Sequence, residues 1–345
     1  MKRGASPIVE HYLKQMEYPN YPQARAVQTK NRDGSKIAIA FGESDCSKFP
    51  LVERLFCDNH VISSQFTTLN FLPKSIFVQF QRAANFYFLV MSLVMLVGEN
   101  TNFYPSPVSA YSTFSFLVLI MVITMMMMAK DDIERHREDN KVSNQKTQTI
   151  RGSIVWRDVR VGDVIVVQEN EQIPADMILM TSSNKSGNAY AETSNIDGET
   201  NLKIRQPSMD LSAFLKQGGS QLSDVLKVAS KLGGHLEYDV PNRDIAHFEG
   251  ILSFSKDNTE SLCREQVLLR GSILRNTQWC VGLVVYTGKD TKVAMNSIKS
   301  KPKLSNAERV VNRSMKLIMI TMFVLVVVTN IGSLVMWHGN ESSYV

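Results

Sequence analysis

The chain has 345 residues, 44% of them hydrophobic and 21% charged, with a formal net charge of +5. That length accommodates two domains at roughly 150 residues each. The mild charge, with no basic tract interleaved with aromatics, excludes nucleic acid as a leading partner.

Residues 1–75 form an N-terminal segment, part of it expected to join the domain that follows the second span, and its opening stretch MKRGASPIVEHYLKQMEYPNYPQ has no apolar h-region. No cleavable signal peptide is expected, so membrane targeting must come from an internal segment. Ile76 to Gly98 is the first candidate span, and it begins with polar residues. Gln79, Gln81, Arg82 and Asn85 fall on one broad arc of a helix that turns by about 100° per residue. Polar groups inside a bilayer are costly and default to functional candidates. An interfacial position, with Arg82 snorkelling, is the alternative. Residues 99–107 form a short loop. Val108 to Ala129 and Leu317 to Trp337 then contain no charged residue. About 20 such residues, at 1.5 Å rise each, cross a hydrocarbon core of roughly 30 Å.

There is no Lys or Arg between Arg82 and Lys130, and none after Lys316. The positive-inside rule therefore places residues 1–75 and 130–316 in the cytosol, and residues 99–107 and 338–345 outside. Asn340-Glu-Ser is a glycosylation sequon on that outer side.

The middle segment, residues 130–316, starts with the charged run AKDDIERHREDNKVSNQK, which reads as the second span continuing as a helix. From Lys146 the period changes to two. KTQTIRGSIVWRDVRVGDVIVVQENEQIPADMILM alternates β-branched and polar residues between tight turns, and Gln266 to Met295 is a second strand-rich block. MDLSAFLKQGGSQLSDVLKVASKLGG, between them, reads as a helical surface insertion. The expected fold class is mixed: three transmembrane α-helices plus a cytosolic β-rich domain with a small helical insertion.

Several patterns carry no chemistry. GLVVYTGK, at residues 282–289, has five residues between its glycines and Asp290 after its lysine, so it fails the phosphate-loop pattern. The six histidines are isolated, and Cys46, Cys57, Cys263 and Cys280 form no CxxC pair, so neither a metal site nor a disulfide framework is expected in this chain. The Met125 to Met128 run is packing material.

One stretch is different. NIDGETNLK, Asn195 to Lys203, places an Asp-Gly turn before a lone carboxylate. Gly accepts positive φ readily, so Asp197 and Gly198 form a turn and Glu199 follows at its exposed tip. Alone, this is a solvated turn. Backed by a rigid β scaffold, Glu199 could enter another domain's site and deprotonate a water for attack on a phosphoryl group.

The context favours the second reading. Asp197-Gly198-Glu199-Thr200, between a second and a third span and after the Pro-Ala-Asp strand, resembles the actuator domain of P-type ATPases. DGETNLK in full resembles the type-four, lipid-flippase branch; cation pumps carry a Thr-Gly-Glu version. FTTLNFLPKSIFVQFQRAANFYFL, SPVS, DVRVGDVIVV, IPADMILM, HFEG, LLRGSILRNT and VVYTGKDTK follow in the family's order. The resemblance covers nearly everything from Asn59 to Trp337. It implies that Glu199 drives hydrolysis of an aspartyl-phosphate, with Asp197, Gly198 and Thr200 shaping its loop. It implies ATP and Mg²⁺, bound by domains absent from this chain, and a phospholipid substrate, an aminophospholipid by family precedent. Gln79 and Asn85 become candidates for the lipid headgroup's path. It also implies a two-span accessory β-subunit glycoprotein and a plasma-membrane, Golgi or endosomal location.

The sequence contains no Asp-Lys-Thr-Gly-Thr, the family's phosphorylation motif. The resemblance therefore implies roughly the first third of a pump, inactive alone. Two alternatives stand beside it: a truncated, non-catalytic membrane protein that binds the accessory subunit, and a fragment of a cation-pumping P-type ATPase.

Overall fold

The structure is a computed structural model that describes residues 36–41, 56–64, 66–67, 70–101, 109–254, 259–297 and 306–341. Ser342 of the sequon, residues 106–108 of the SPVS motif and Cys46 lie outside the described residues. The chain divides into two compact units, Met1–Ile62 with Asp139–Ile298, and Ser63–Glu138 with Lys299–Val345.

The elements in chain order begin with strand β1 (Lys36–Phe41) and helices α1 (Phe71–Phe80), α2 (Ala83–Thr101) and α3 (Ala110–Ser143). Strands β2 (Lys146–Thr149), β3 (Gly152–Val155), β4 (Val164–Gln168), β5 (Asp176–Ser182) and β6 (Ala189–Glu192) follow. A single helical turn, α4 (Ser194–Asp197), precedes β7 (Lys203–Arg205), α5 (Met209–Lys216) and α6 (Leu222–Lys231). The remainder is β8 (Gly234–Asp239), β9 (Gly250–Ser253), β10 (Thr259–Leu262), β11 (Val267–Leu268), β12 (Ile273–Arg275), β13 (Trp279–Tyr286), α7 (Lys292–Asn296) and α8 (Asn306–Glu341).

Among the described residues, the first unit holds three antiparallel sheets, with strand orders β11-β5-β13-β4-β2-β3, β1-β8-β9-β10 and β12-β6-β7. Every residue of β5 and β13 is buried. Because side chains alternate across a strand, these two strands feed two cores. Ile178, Met180, Val281, Leu283 and Val285 enter one core, while Met177, Leu179, Cys280 and Val284 enter the other. Burial on both faces explains why MILM and WCVGLVVY read as continuous apolar runs. Ala189 and Ala191 of β6 and Leu274 of β12 close the second core, so the three-stranded sheet packs on one face of the six-stranded sheet.

The opposite face carries the four-stranded sheet and two helices. Leu211 and Leu215 of α5, and Val225, Leu226 and Ala229 of α6, are buried in the first core beside Ile39, Leu236 and Tyr238. Their spacing of three and four residues is a helix's apolar stripe. The segment expected as a surface insertion is therefore a structural part of the domain. The first core also includes β1, which pairs with β8 from Lys36↔Asp239 to Phe41↔Gly234.

Asn59 fixes the stretch that leads toward the first span. It is fully buried, and its Nδ2 donates to the carbonyls of Trp156 (2.8 Å) and Pro174 (3.0 Å). Its Oδ1 accepts from the Gly288 N–H at 3.0 Å. Gly288 has φ +54, and a Cβ there would lie 2.1 Å from the Asp58 carbonyl oxygen, so only glycine permits this approach.

Among the described residues, three helices are long and apolar enough to cross a membrane: Ala83–Thr101, Ala110–Ser143 and Arg309–Ser333. Their large apolar side chains, among them Phe323, Leu325, Leu119 and Val97, are exposed outward, as expected for surface that meets lipid. The chain has the mixed fold of an integral membrane protein. The first span departs from one continuous helix over 76–98: α1 ends at Phe80 and α2 starts at Ala83. The turn is tightened by Gln81 N–H donating to Val78 O (3.3 Å) and Arg82 N–H to Gln79 O (3.2 Å).

Candidate functional site

The tetrad lies in the connection between β6 and β7, whose pairing runs Ala189↔Arg205, Tyr190↔Ile204 and Ala191↔Lys203. Its turn is more structured than an Asp-Gly hairpin. Thr193 to Asp197 winds one helical turn, and Gly198 terminates it in the left-handed region at φ 77, ψ 0. Glycine is the usual residue at that position because it carries no Cβ penalty. Glu199 and Thr200 emerge beyond the cap and are exposed, with the Glu199 side chain at 62%.

Asp197 organises the loop. Its carboxylate accepts from the Thr193 hydroxyl (3.1 and 2.9 Å), from the Glu199 N–H (3.0 Å) and from Lys203 Nζ (2.5 Å). These donors favour the ionised form. The Lys203 hydrogen bond is the largest cause, and together they hold the carboxyl down to about 2 against a smaller cost of desolvation. Lys203 Nζ also reaches Glu199 Oε2 at 3.0 Å. Its pKa is raised by Asp197 first and Glu199 second.

A second network stiffens the entry to the turn. Glu192 accepts from Ser194 Oγ (2.7 Å) and Arg275 Nε (2.7 Å), and both hold its pKa below the usual carboxylate range. Arg275 also donates to Asn170. The turn is thus tied to β6, β7 and β12 at once.

Beside Glu199 an open groove of about 850 Å³ runs past Lys203, Arg205, His247, Arg264 and Glu265. Arg205 is buried, and its pKa is lowered by desolvation and then by the neighbouring Arg264.

Asp197, Gly198, Glu199 and Thr200 therefore share one rigidly footed loop. Lys203 belongs to the same cluster; the sequence showed it only as a lysine in the same nine-residue run, NIDGETNLK. Thr193, Glu192 and Arg275 were not foreseen, because sequence does not show which residues converge on a turn.

Gln79 and Asn85 are a separate pair in the second unit. Both are buried, whereas Gln81 and Arg82 are exposed. The helix break, rather than a shared arc, brings the pair together: Asn85 Nδ2 donates to the Gln79 carbonyl at 3.1 Å. Gln79 Nε2 donates to Met121 O at 3.1 Å, while its Oε1 is buried with no hydrogen-bond partner.

Among the described residues, no group of three or more His, Cys, Asp or Glu could hold a metal ion. Nor does any phosphate loop appear in the sequence.

Residues 39–113 match the family described as phospholipid-translocating ATPase N-terminal, and residues 134–231 match the P-type ATPase actuator domain. The chain is 39% identical over 259 residues to phospholipid-transporting ATPase FetA of Mus musculus, covering 74% of this chain and 21% of that protein. It is 39% identical over 261 residues to probable phospholipid-transporting ATPase IM of Homo sapiens, with 74% and 21% covered. It is 32% identical over 287 residues to phospholipid-transporting ATPase DRS2 of Saccharomyces cerevisiae, with 81% and 20% covered. The aligned part of the chain spans about a fifth of the length of these relatives. The chain therefore carries the N-terminal region and the actuator domain of the type IV phospholipid-transporting ATPases.

Proposed function

We propose that this chain supplies the actuator and first membrane spans of an ATP-driven translocase that moves an aminophospholipid from the outer to the cytosolic leaflet. The observation that carries the reading is Glu199: a solvent-facing carboxylate just beyond a left-handed cap, on a loop tied by hydrogen bonds to its sheet.

In the proposed step, Glu199 enters a site on another domain that bears an aspartyl-phosphate. A water oxygen attacks phosphorus and its proton passes to the Glu199 carboxylate. The bond from phosphorus to the aspartyl oxygen breaks, and aspartate and inorganic phosphate result. Asp197 and Gly198 fix the direction in which Glu199 leaves the cap, and Thr200 shapes the loop beyond it. ATP and Mg²⁺ act elsewhere in the pump.

The lipid path is supported by the unpartnered Gln79 Oε1, since a buried acceptor without a donor is costly. Gln79 and Asn85 would offer hydrogen bonds to a passing headgroup. Lys and Arg placement supports a cytosolic actuator, and plasma, Golgi or endosomal membranes would house the pump. A two-span accessory glycoprotein would bind on the outer side.

The test is ATP-dependent uptake of a fluorescent aminophospholipid by cells or vesicles carrying the full-length protein. Uptake that Glu199→Gln abolishes supports the proposal. ATPase activity stimulated by an ion and insensitive to lipid overturns it.

A further inference from the structure

Glu199 stands on an exposed loop, where a long side chain ordinarily samples several rotamers. Lys203 restrains it. The Lys203 side chain is 25% exposed against 62% for Glu199, so the more sheltered cation holds the more solvated carboxylate. Its backbone is fixed by pairing with Ala191 in the sheet. Its ammonium is seated on Asp197 at 2.5 Å and reaches Glu199 at 3.0 Å. Asp197 is in turn fixed by Thr193 and by the Glu199 N–H.

We propose that Lys203 is a positioning residue for the hydrolytic step: anchored on Asp197, it presents the ionised Glu199 carboxylate in one direction. The inference rests on the reading of Glu199 given above. An ammonium has three donors, and Asp197 already takes one at the shorter distance. Glu199 is oriented without being the principal counter-ion. The restraint is also selective. It acts on the carboxylate that is ready to accept a proton, and it weakens once Glu199 has taken that proton and lost its charge. Lys203 then stays on Asp197, and the spent acid is free to move.

Arginine preserves the charge and reaches both carboxylates; methionine preserves length and stem packing and removes the charge. The experiment measures decay of the aspartyl-phosphate in the full-length protein for Lys203→Met, Lys203→Arg and Glu199→Gln. Decay slowed by about tenfold to a hundredfold in Lys203→Met, the range for a misplaced reacting group, and restored to within a fewfold by Lys203→Arg, is the expected result. Decay at the original rate in Lys203→Met, with Glu199→Gln stalled, overturns the role of Lys203 and leaves Glu199 standing. Normal decay in Glu199→Gln overturns the underlying reading instead. Hydrogen exchange of the β6–β7 amides in Lys203→Met distinguishes positioning from support of the fold. Unchanged protection accompanies the proposed role, and lost protection marks a merely structural lysine.

Discussion

Asn59→Ala removes three hydrogen bonds from a site with no measurable exposure. The carbonyls of Trp156 and Pro174 lose a donor, and the Gly288 N–H loses an acceptor. Each buried polar group left unpaired costs about 1–3 kcal/mol. The Trp156 carbonyl keeps the Val159 N–H at 3.2 Å, so two groups are left unpaired and the total loss is about 2–6 kcal/mol. A domain is stable by only about 5–15 kcal/mol, so this one side chain holds a large share. Asn59→Asp preserves the bond to Gly288 but turns an acceptor toward two carbonyls, and it is destabilised at least as much. Chemical denaturation of the purified chain in detergent measures the change, and hydrogen exchange at Gly288 localises it. A loss below about 1 kcal/mol for Asn59→Ala would show that Asn59 does not hold Trp156, Pro174 and Gly288 as described.

Three further outcomes follow from single residues. Burial raises the Asp176 carboxyl from 3.8 to about 6, against hydrogen bonds from the Arg270 and Lys292 N–H groups. The folded state thus binds this proton more readily than the unfolded state. The group's contribution to stability is full below its ordinary pKa and is lost as pH rises through about 6; melting temperatures of Asp176→Asn should show a shallower decline over pH 4–7 than the parent. Gly198→Ala fills open space but keeps φ +77, costing about 1–2 kcal/mol, and Gly198→Asn costs less, as denaturation would show. Native alkylation followed by mass spectrometry should modify the exposed Cys263 and spare Cys280, which is buried and whose thiol burial pushes up to about 12.

What the sequence disclosed depended on how local the determining physics was. The spans were legible because charge-free runs of that length have few other uses. The two-sided strands β5 and β13 were visible as strands from their β-branched runs, but their role in two cores needed the partners on each face. The helices α5 and α6 were underestimated because their Gly-rich junction resembles a surface loop, while their apolar stripe shows only when Leu211, Leu215, Val225 and Ala229 are placed against β1 and β8. The break at Gln81–Arg82 was hidden because no proline or glycine marks it; Asn85 satisfies a carbonyl at the break through its side chain. Asn59 was unreadable, since its partner Gly288 lies 229 residues away. The exposed position of Glu199 was legible from the Asp-Gly pair before it, yet its restraint by Lys203 and Asp197 is a matter of side-chain geometry.

In the proposed function, Glu199 activates the water that cleaves an aspartyl-phosphate. The most direct measurement is a chase: phosphorylate the full-length protein with labelled ATP, quench further labelling, and follow loss of acid-stable phosphoenzyme in the parent and in Glu199→Gln. Phosphorylation should be normal, and the phosphoenzyme should persist in Glu199→Gln while it decays in the parent. Equal decay in the two proteins would refute that role of Glu199.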